Sequence, residues 1–191
     1  MRVVISYNFY KNICLKENYG ALRRYSIFFA ACILFPATSP AQVPEKESTL
    51  KAAFIYNFTK YIEWDANNAD DFTIYIMGNS SIYEPLSEIA STKTVRNKRI
   101  VIRRINTPEE ITGCNVLFIS AGNSYPLTTI FANTCKGTLT ISETPGYANM
   151  GTAINFVIVN DKLKFEANVK SINDEGLKAS SQLLKLAKII D

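Results

Sequence analysis

The stretch NVLFIS, Asn115 to Ser120, decides the fold. It is a continuous apolar run, bounded by polar residues and by Gly122. A strand with one wet face would alternate; an unbroken run predicts a central strand buried on both faces, as in a parallel sheet. Working outward, FTIYIMG, Phe72 to Gly78, is a second β-rich run closed by glycine. SIYEPLSEIAS follows as a helix with Ile82, Leu86 and Ile89 on one side. KRIVIRRI, Lys98 to Ile105, is another strand, and TPEEIT offers a cap at Thr107, Pro108 at the first helical position and acids in the first turn. Beyond the central run, YPLTTIFANTC reads as a helix and GTLTIS, Gly137 to Ser142, as a strand.

After the loop ETPGYANMG, the segment TAINFVIVNDKLKFEANV alternates on both arms around Asn160-Asp161, a hairpin pattern. A last long helix is expected from near Ser171 through GLKASSQLLKLAKII, with Leu177, Leu183, Leu184, Leu186, Ala187 and Ile190 as its apolar surface. The expected fold class is α/β: a mainly parallel central sheet with helices on both faces, a C-terminal antiparallel hairpin and a long helix.

The first helix, ending in KAAFIYNFTKYIEW, is apolar on more than one side. Ser48 or Thr49 caps it; Leu50, Phe54, Phe58 and Ile62 form a stripe at i, i+4 spacing. Ile55, Tyr56 and Tyr61 lie off that stripe. They mark either a fully enclosed helix or an interface with another chain.

The 191 residues divide unevenly in charge. Residues 1–26 carry Arg2, Lys11, Lys16, Arg23 and Arg24 against Glu17, followed by the uncharged run IFFAACILF and by PATSPAQ with small residues at Ser39 and Ala41. This is the layout of a secretory signal peptide over residues 1–41, which leaves one domain at 42–191. Two rival readings are an uncleaved anchor and a lipoprotein signal at Cys32. The apolar run is short for a bilayer span, which needs about 20 residues, and Cys32 sits inside the run rather than after it. The part from 42 to 191 holds 16 basic and 16 acidic residues, so the net +4 lies in the presequence. A basic footprint for nucleic acid is missing.

There is no histidine, which removes His triads, His metal ligands and His pH switches. Neither G-x-G-x-x-G nor a P-loop follows the strands, and no G-x-S-x-G elbow occurs. Lys178 and Ser181 could form a Ser-Lys dyad, but such pairs are usually helix-surface residues. No catalytic, metal or cofactor residues are assigned. Arg96, Lys98, Arg99, Arg103 and Arg104 form a basic stripe, read as a charged edge strand or a patch for an acidic partner. Cys114 precedes the central strand and Cys135 ends the helix that follows it, so both fall at one edge of the sheet. A disulfide there closes a loop of roughly 20 residues, worth about 3 kcal/mol in an oxidising compartment.

KAAFIYNFTKYIEW, GCNVLFIS, LTISETPGYANMGTAINF, LKFEANV and GLKASSQLLKLA together resemble the signature blocks of the YfiR family, in the family's order, from about Leu50 to Ala187. The resemblance implies a non-enzymatic, dimeric α/β protein of the Gram-negative periplasm that needs no cofactor. It implies binding to the periplasmic domain of an inner-membrane diguanylate cyclase, which is repressed so that cyclic di-GMP stays low. It also implies an outer-membrane lipoprotein that sequesters the repressor. Some members hold small ligands near the last helix, at positions matched by Glu63, Lys178 and Ser180. For a homodimer, Ile55, Tyr56 and Tyr61 are the candidate interface. The alternative is a periplasmic small-ligand-binding module linked to a sensor kinase or an outer-membrane receptor. The chain departs from the family pattern: Asp65 replaces a proline, Glu143 an aspartate and Ser180 a histidine. Of four family disulfide cysteines only Cys114 is matched, with Tyr75 in its partner's place. Cys135 is the substitute partner that the topology offers.

Overall fold

The computed structural model describes residues 43–64 and 70–190. The export segment read from residues 1–41 and the substitution at Asp65 lie outside them. Helix α1 (Val43–Tyr61) leads into the short strand β1 (Ile62–Glu63). Then follow β2 (Asp71–Met77), α2 (Tyr83–Thr92), β3 (Thr94–Val95), β4 (Lys98–Ile105), a single 3₁₀ turn (Pro108–Glu110), β5 (Val116–Ile119), α3 (Leu127–Asn133) and β6 (Leu139–Ser142). The chain closes with β7 (Ile154–Val159), β8 (Lys162–Asn168), α4 (Val169–Asp174), β9 (Lys178–Ala179), α5 (Ser181–Leu186) and β10 (Lys188–Ile190).

Eight strands form one sheet in the order β10-β8-β7-β6-β5-β2-β4-β3. The run β4-β2-β5-β6-β7 is parallel throughout. Strand β8 turns back antiparallel to β7, β10 runs parallel to β8, and β3 is antiparallel to β4. The sheet is therefore mixed at its margins and parallel at its centre. The NVLFIS run supplies β5, whose four residues are all buried. Successive side chains point to opposite faces. Val116 and Phe118 join the larger core with α1 and α2, while Leu117 and Ile119 join a second core with Leu127 and Ile130 of α3. Strand β2 divides the same way, Ile74 and Ile76 against Tyr75 and Met77. Helices thus cover both faces.

Four local expectations are corrected. Helix α1 begins at Val43, so Ser48 and Thr49 lie inside it rather than capping it; its buried side is Ser48, Ala52, Ile55, Phe58 and Thr59, continued by Ile62 of β1, while Leu50 is 45% exposed. The i, i+4 stripe runs along a straight line that drifts off the buried face, because the helix repeats every 3.6 residues. The long C-terminal helix is in fact four short elements. Gly176, at φ +77°, ends α4 and its vicinity, β9 pairs with β1, and Ser180 caps the separate helix α5. Only Gly adopts that left-handed φ without cost, so a continuous helix is interrupted there. TPEEIT makes one 3₁₀ turn rather than a full helix, held by the reciprocal bonds of Thr107 and Glu110.

The hairpin is as expected: Asn160 and Asp161 both have positive φ, 51° and 57°, the I′ arrangement that matches strand twist. On its core side Phe58 of α1 meets Phe165 edge-on at 4.9 Å and stacks near Phe156 at 6.0 Å. This aromatic cluster fixes α1 across β7 and β8.

Candidate functional site

The amino-terminal ends of β2, β5 and β6 open into a groove of about 600 Å³. Its walls include Trp64, Cys114, Asn115, Cys135, Lys136 and Asp174. Asn115 builds the floor. Its N–H donates to the Thr73 carbonyl, its side-chain Oδ1 accepts from Thr73 N at 2.9 Å, and its own carbonyl accepts from Leu139 N and from the Trp64 indole. One asparagine therefore joins three strands and orients the only tryptophan of the chain.

Cys114 and Cys135 both line this groove, and among the described residues neither is joined in a disulfide. Burial pushes the Cys114 thiol up to about 12; the neighbouring Cys135 adds to the shift, and hydrogen bonding at Thr138 and at the Tyr75 backbone opposes it. Tyr75 and Cys114 share one apolar cluster, and the Tyr75 hydroxyl lies 3.1 Å from Thr112 Oγ1.

Next to Trp64, β1 and β9 form a separate two-stranded ladder in which Glu63 faces Lys178 and Ile62 faces Ala179. Ser180 N donates to the Tyr61 carbonyl at 2.8 Å. The ligand residues that the resemblance implies are thus gathered at one place. Glu63 and Lys178 are exposed cross-strand neighbours, whereas the Ser180 hydroxyl accepts from Leu183 N as a helix cap. The proposed interface residues divide. Ile55 is fully enclosed by its own chain, while Tyr56 and Tyr61 are half-buried, with Lys60 Nζ 4.4 Å from the Tyr56 ring centroid. Ile55 is therefore unavailable to a partner, because the protomer's own core already covers it.

The arginine side chains of the basic stripe have partners within the chain. Arg96 donates to the carbonyls of Trp64 and Ile62; Arg99 is bidentate on Asp71; Arg103 reaches the Tyr75 hydroxyl; Arg104 lies over the Tyr83 ring and bonds Glu84. That usage fits the edge-strand reading.

Among the described residues no group of three or more Cys, Asp or Glu is placed to hold a metal, and no helix is long and apolar enough to cross a membrane. Sequence reasoning missed the cluster of Lys51 with Glu47 and Glu143, both contacts at 2.6 Å. The only signal was spacing: Glu47 and Lys51 are an i, i+4 pair, but Glu143 is distant in sequence.

A family model described as YfiR/HmsC-like matches residues 48–188. The chain belongs to the YfiR/HmsC-like family. The match spans both the groove and the β1–β9 ladder. No curated protein matches the chain.

Proposed function

We propose that this YfiR/HmsC-like protein is an exported, non-catalytic regulator that binds the periplasmic part of an inner-membrane signalling protein and represses a diguanylate cyclase. The observation that carries this reading is the family match over residues 48–188. The family is a regulatory one that acts with membrane signalling proteins. A neutral, histidine-free domain suits a binding role better than acid-base catalysis. Tyr56 and Tyr61, both half-buried on α1, are the contact residues assigned to a homodimer or to the sensor. An outer-membrane lipoprotein would compete for the same protein.

The test is cellular cyclic di-GMP in wild type and in a clean deletion. A rise on deletion, reversed by a periplasm-targeted copy, is the expected result; an unchanged level in the deletion strain rejects the cyclase assignment. A second reading, a small-ligand-binding module linked to a sensor kinase or an outer-membrane receptor, draws on the 600 Å³ groove beside Glu63 and Lys178. Thermal shifts with nucleotides and aromatic acids test it, and Lys178→Ala should cancel any shift.

A further inference from the structure

The opposite end of the sheet holds a second site, which rests on neither reading above. The chain passes from β2 to β4 on one side, then crosses to β5 on the other side of β2. The winding therefore reverses between β2 and β5. In doubly wound sheets the crevice outside the carboxyl ends of the strands at such a reversal is where ligands bind.

A cavity of about 310 Å³ lies there, lined by Asn79 and Ser81 after β2, Gly122 after β5, Glu143 after β6, and Glu47 and Lys51 from α1. The two loops close directly on each other. A Cβ on Gly78, at φ +82°, would lie 2.7 Å from Ser120 Oγ and 3.2 Å from the Asn123 backbone. At that seam the Ser120 hydroxyl is buried, with no hydrogen-bond partner among the described residues. A buried orphan hydroxyl is costly and calls for an explanation.

The charges narrow the ligand class. Lys51 donates to Glu47 and Glu143, and an ammonium has three protons, so one remains. Glu143 Oε1 also accepts from Ala121 N at 3.1 Å, which leaves further lone pairs on both carboxylates. Two acids and one base leave one net negative charge, which opposes a phosphate or a carboxylate. What remains is a set of interleaved donors and acceptors: an ammonium proton, carboxylate lone pairs, the Asn79 amide and the Ser81 hydroxyl. Adjacent hydroxyl groups, each both donor and acceptor, complement such a set. Across the Lys51–Glu143 pair the cavity is continued by an apolar one of about 340 Å³, with Pro145, Phe156, Ile158 and Leu163 in its wall. Ile158 is 56% exposed although it is large and apolar.

We propose that this crevice binds a neutral saccharide. Ring hydroxyls engage Lys51, Glu143, Asn79 and Ser81, and the C–H face of the sugar covers Pro145 and Ile158.

Saturation-transfer NMR titrations of the purified protein with glucose, maltose, N-acetylglucosamine and glucose 6-phosphate test this. At least one neutral probe should saturate in the millimolar range. Glucose 6-phosphate should bind about tenfold more weakly than that probe, because its charge meets the surplus carboxylate. Asn79→Ala should weaken binding several-fold, and Ser81→Trp should abolish it; both side chains are exposed, and circular dichroism checks that the variants stay folded. Absence of saturation by every neutral probe overturns the proposal. So does tighter binding of the phosphate ester. Binding that survives Ser81→Trp but is lost in Lys178→Ala would place the sugar in the other groove and equally overturn it.

Discussion

Lys51 Nζ and Glu143 Oε2 meet at 2.6 Å across 92 residues of sequence, joining α1 to the loop after β6. The side chains are 13% and 16% exposed, and Glu143 also holds the loop after β5 through Ala121 N. Charge-assisted bonds in such half-dry surroundings are stronger than surface pairs. Lys51→Met leaves two carboxylates facing each other without their cation and should cost about 2 kcal/mol. Thermal melts should fall by roughly 4–8 °C for a domain of this size. Glu143→Gln combined with Lys51→Met should cost less than the sum of the two single changes. A melt of Lys51→Met within about 1 °C of wild type would show that the pair contributes nothing.

The same lysine gives a pH dependence with a defined sign. Burial acts to lower its pKa, but the hydrogen bonds and charges of Glu143 and Glu47 outweigh burial, and the net shift is upward from 10.5. A group with a raised folded-state pKa stabilises fully below its unfolded value, and the contribution is lost as pH climbs through the folded value. Wild type should therefore lose more stability than Lys51→Met as pH rises above 10.5, read from urea midpoints. Parallel losses in the two proteins would remove Lys51 as the source.

The two groove thiols should differ sharply in reactivity. Cys135 is exposed, whereas burial raises Cys114 to about 12. At pH 8 about one Cys114 in 10⁴ is a thiolate. Maleimide labelling of the reduced protein should modify Cys135 first and Cys114 only slowly. Oxidation with a disulfide reagent should then yield an intramolecular Cys114–Cys135 bond, seen as loss of both labels with no dimer on a non-reducing gel. Label uptake by both cysteines after oxidation would show that the pair does not bond.

Phe58 is the largest fully buried side chain of α1, seated against Phe156 and Phe165. Phe58→Ala should cost about 3–5 kcal/mol through lost burial and an unfilled cavity. Denaturant unfolding measures it. A cost under about 1 kcal/mol would mean that the hairpin collapses onto the gap.

The sheet was legible in sequence because its strands carry unambiguous periods. NVLFIS reads as doubly buried, and the alternation around Asn160-Asp161 reads as a hairpin. The C-terminal segment was not legible for the opposite reason. GLKASSQLLKLAKII is rich in helix formers, yet β9 is a strand only because β1 lies beside it, a tertiary cause with no local signature. Gly176 was the one local warning. Parts of the geometry were legible. Topology placed Cys114 and Cys135 at one edge, where both line the groove, and Glu63 and Lys178, named from the family blocks, are cross-strand neighbours. Glu143 was invisible as a partner of Lys51, because nothing in its neighbourhood announces a contact 92 residues away. For Ile55, an apolar residue off the main stripe looks the same whether its own core or another chain covers it.

The hairpin turn offers a stabilising change. Asn160 and Asp161 both sit in the left-handed region, at φ 51° and 57°, and both are exposed. Asparagine tolerates that region and suits the first central position of a type I′ turn, whereas the second strongly favours glycine. Asp161→Gly removes the crowding between Cβ and the backbone. Part of that gain is offset by the greater freedom of glycine in the unfolded chain. The net expectation is a stabilisation of about 0.5 kcal/mol, or a rise of roughly 1–2 °C in melting temperature. Asp161→Val, β-branched at the same φ, should destabilise by more than 1 kcal/mol or so. Equal melting temperatures for the Gly and Val variants would show that the turn relaxes freely and that φ at Asp161 does not govern the register of β7 and β8.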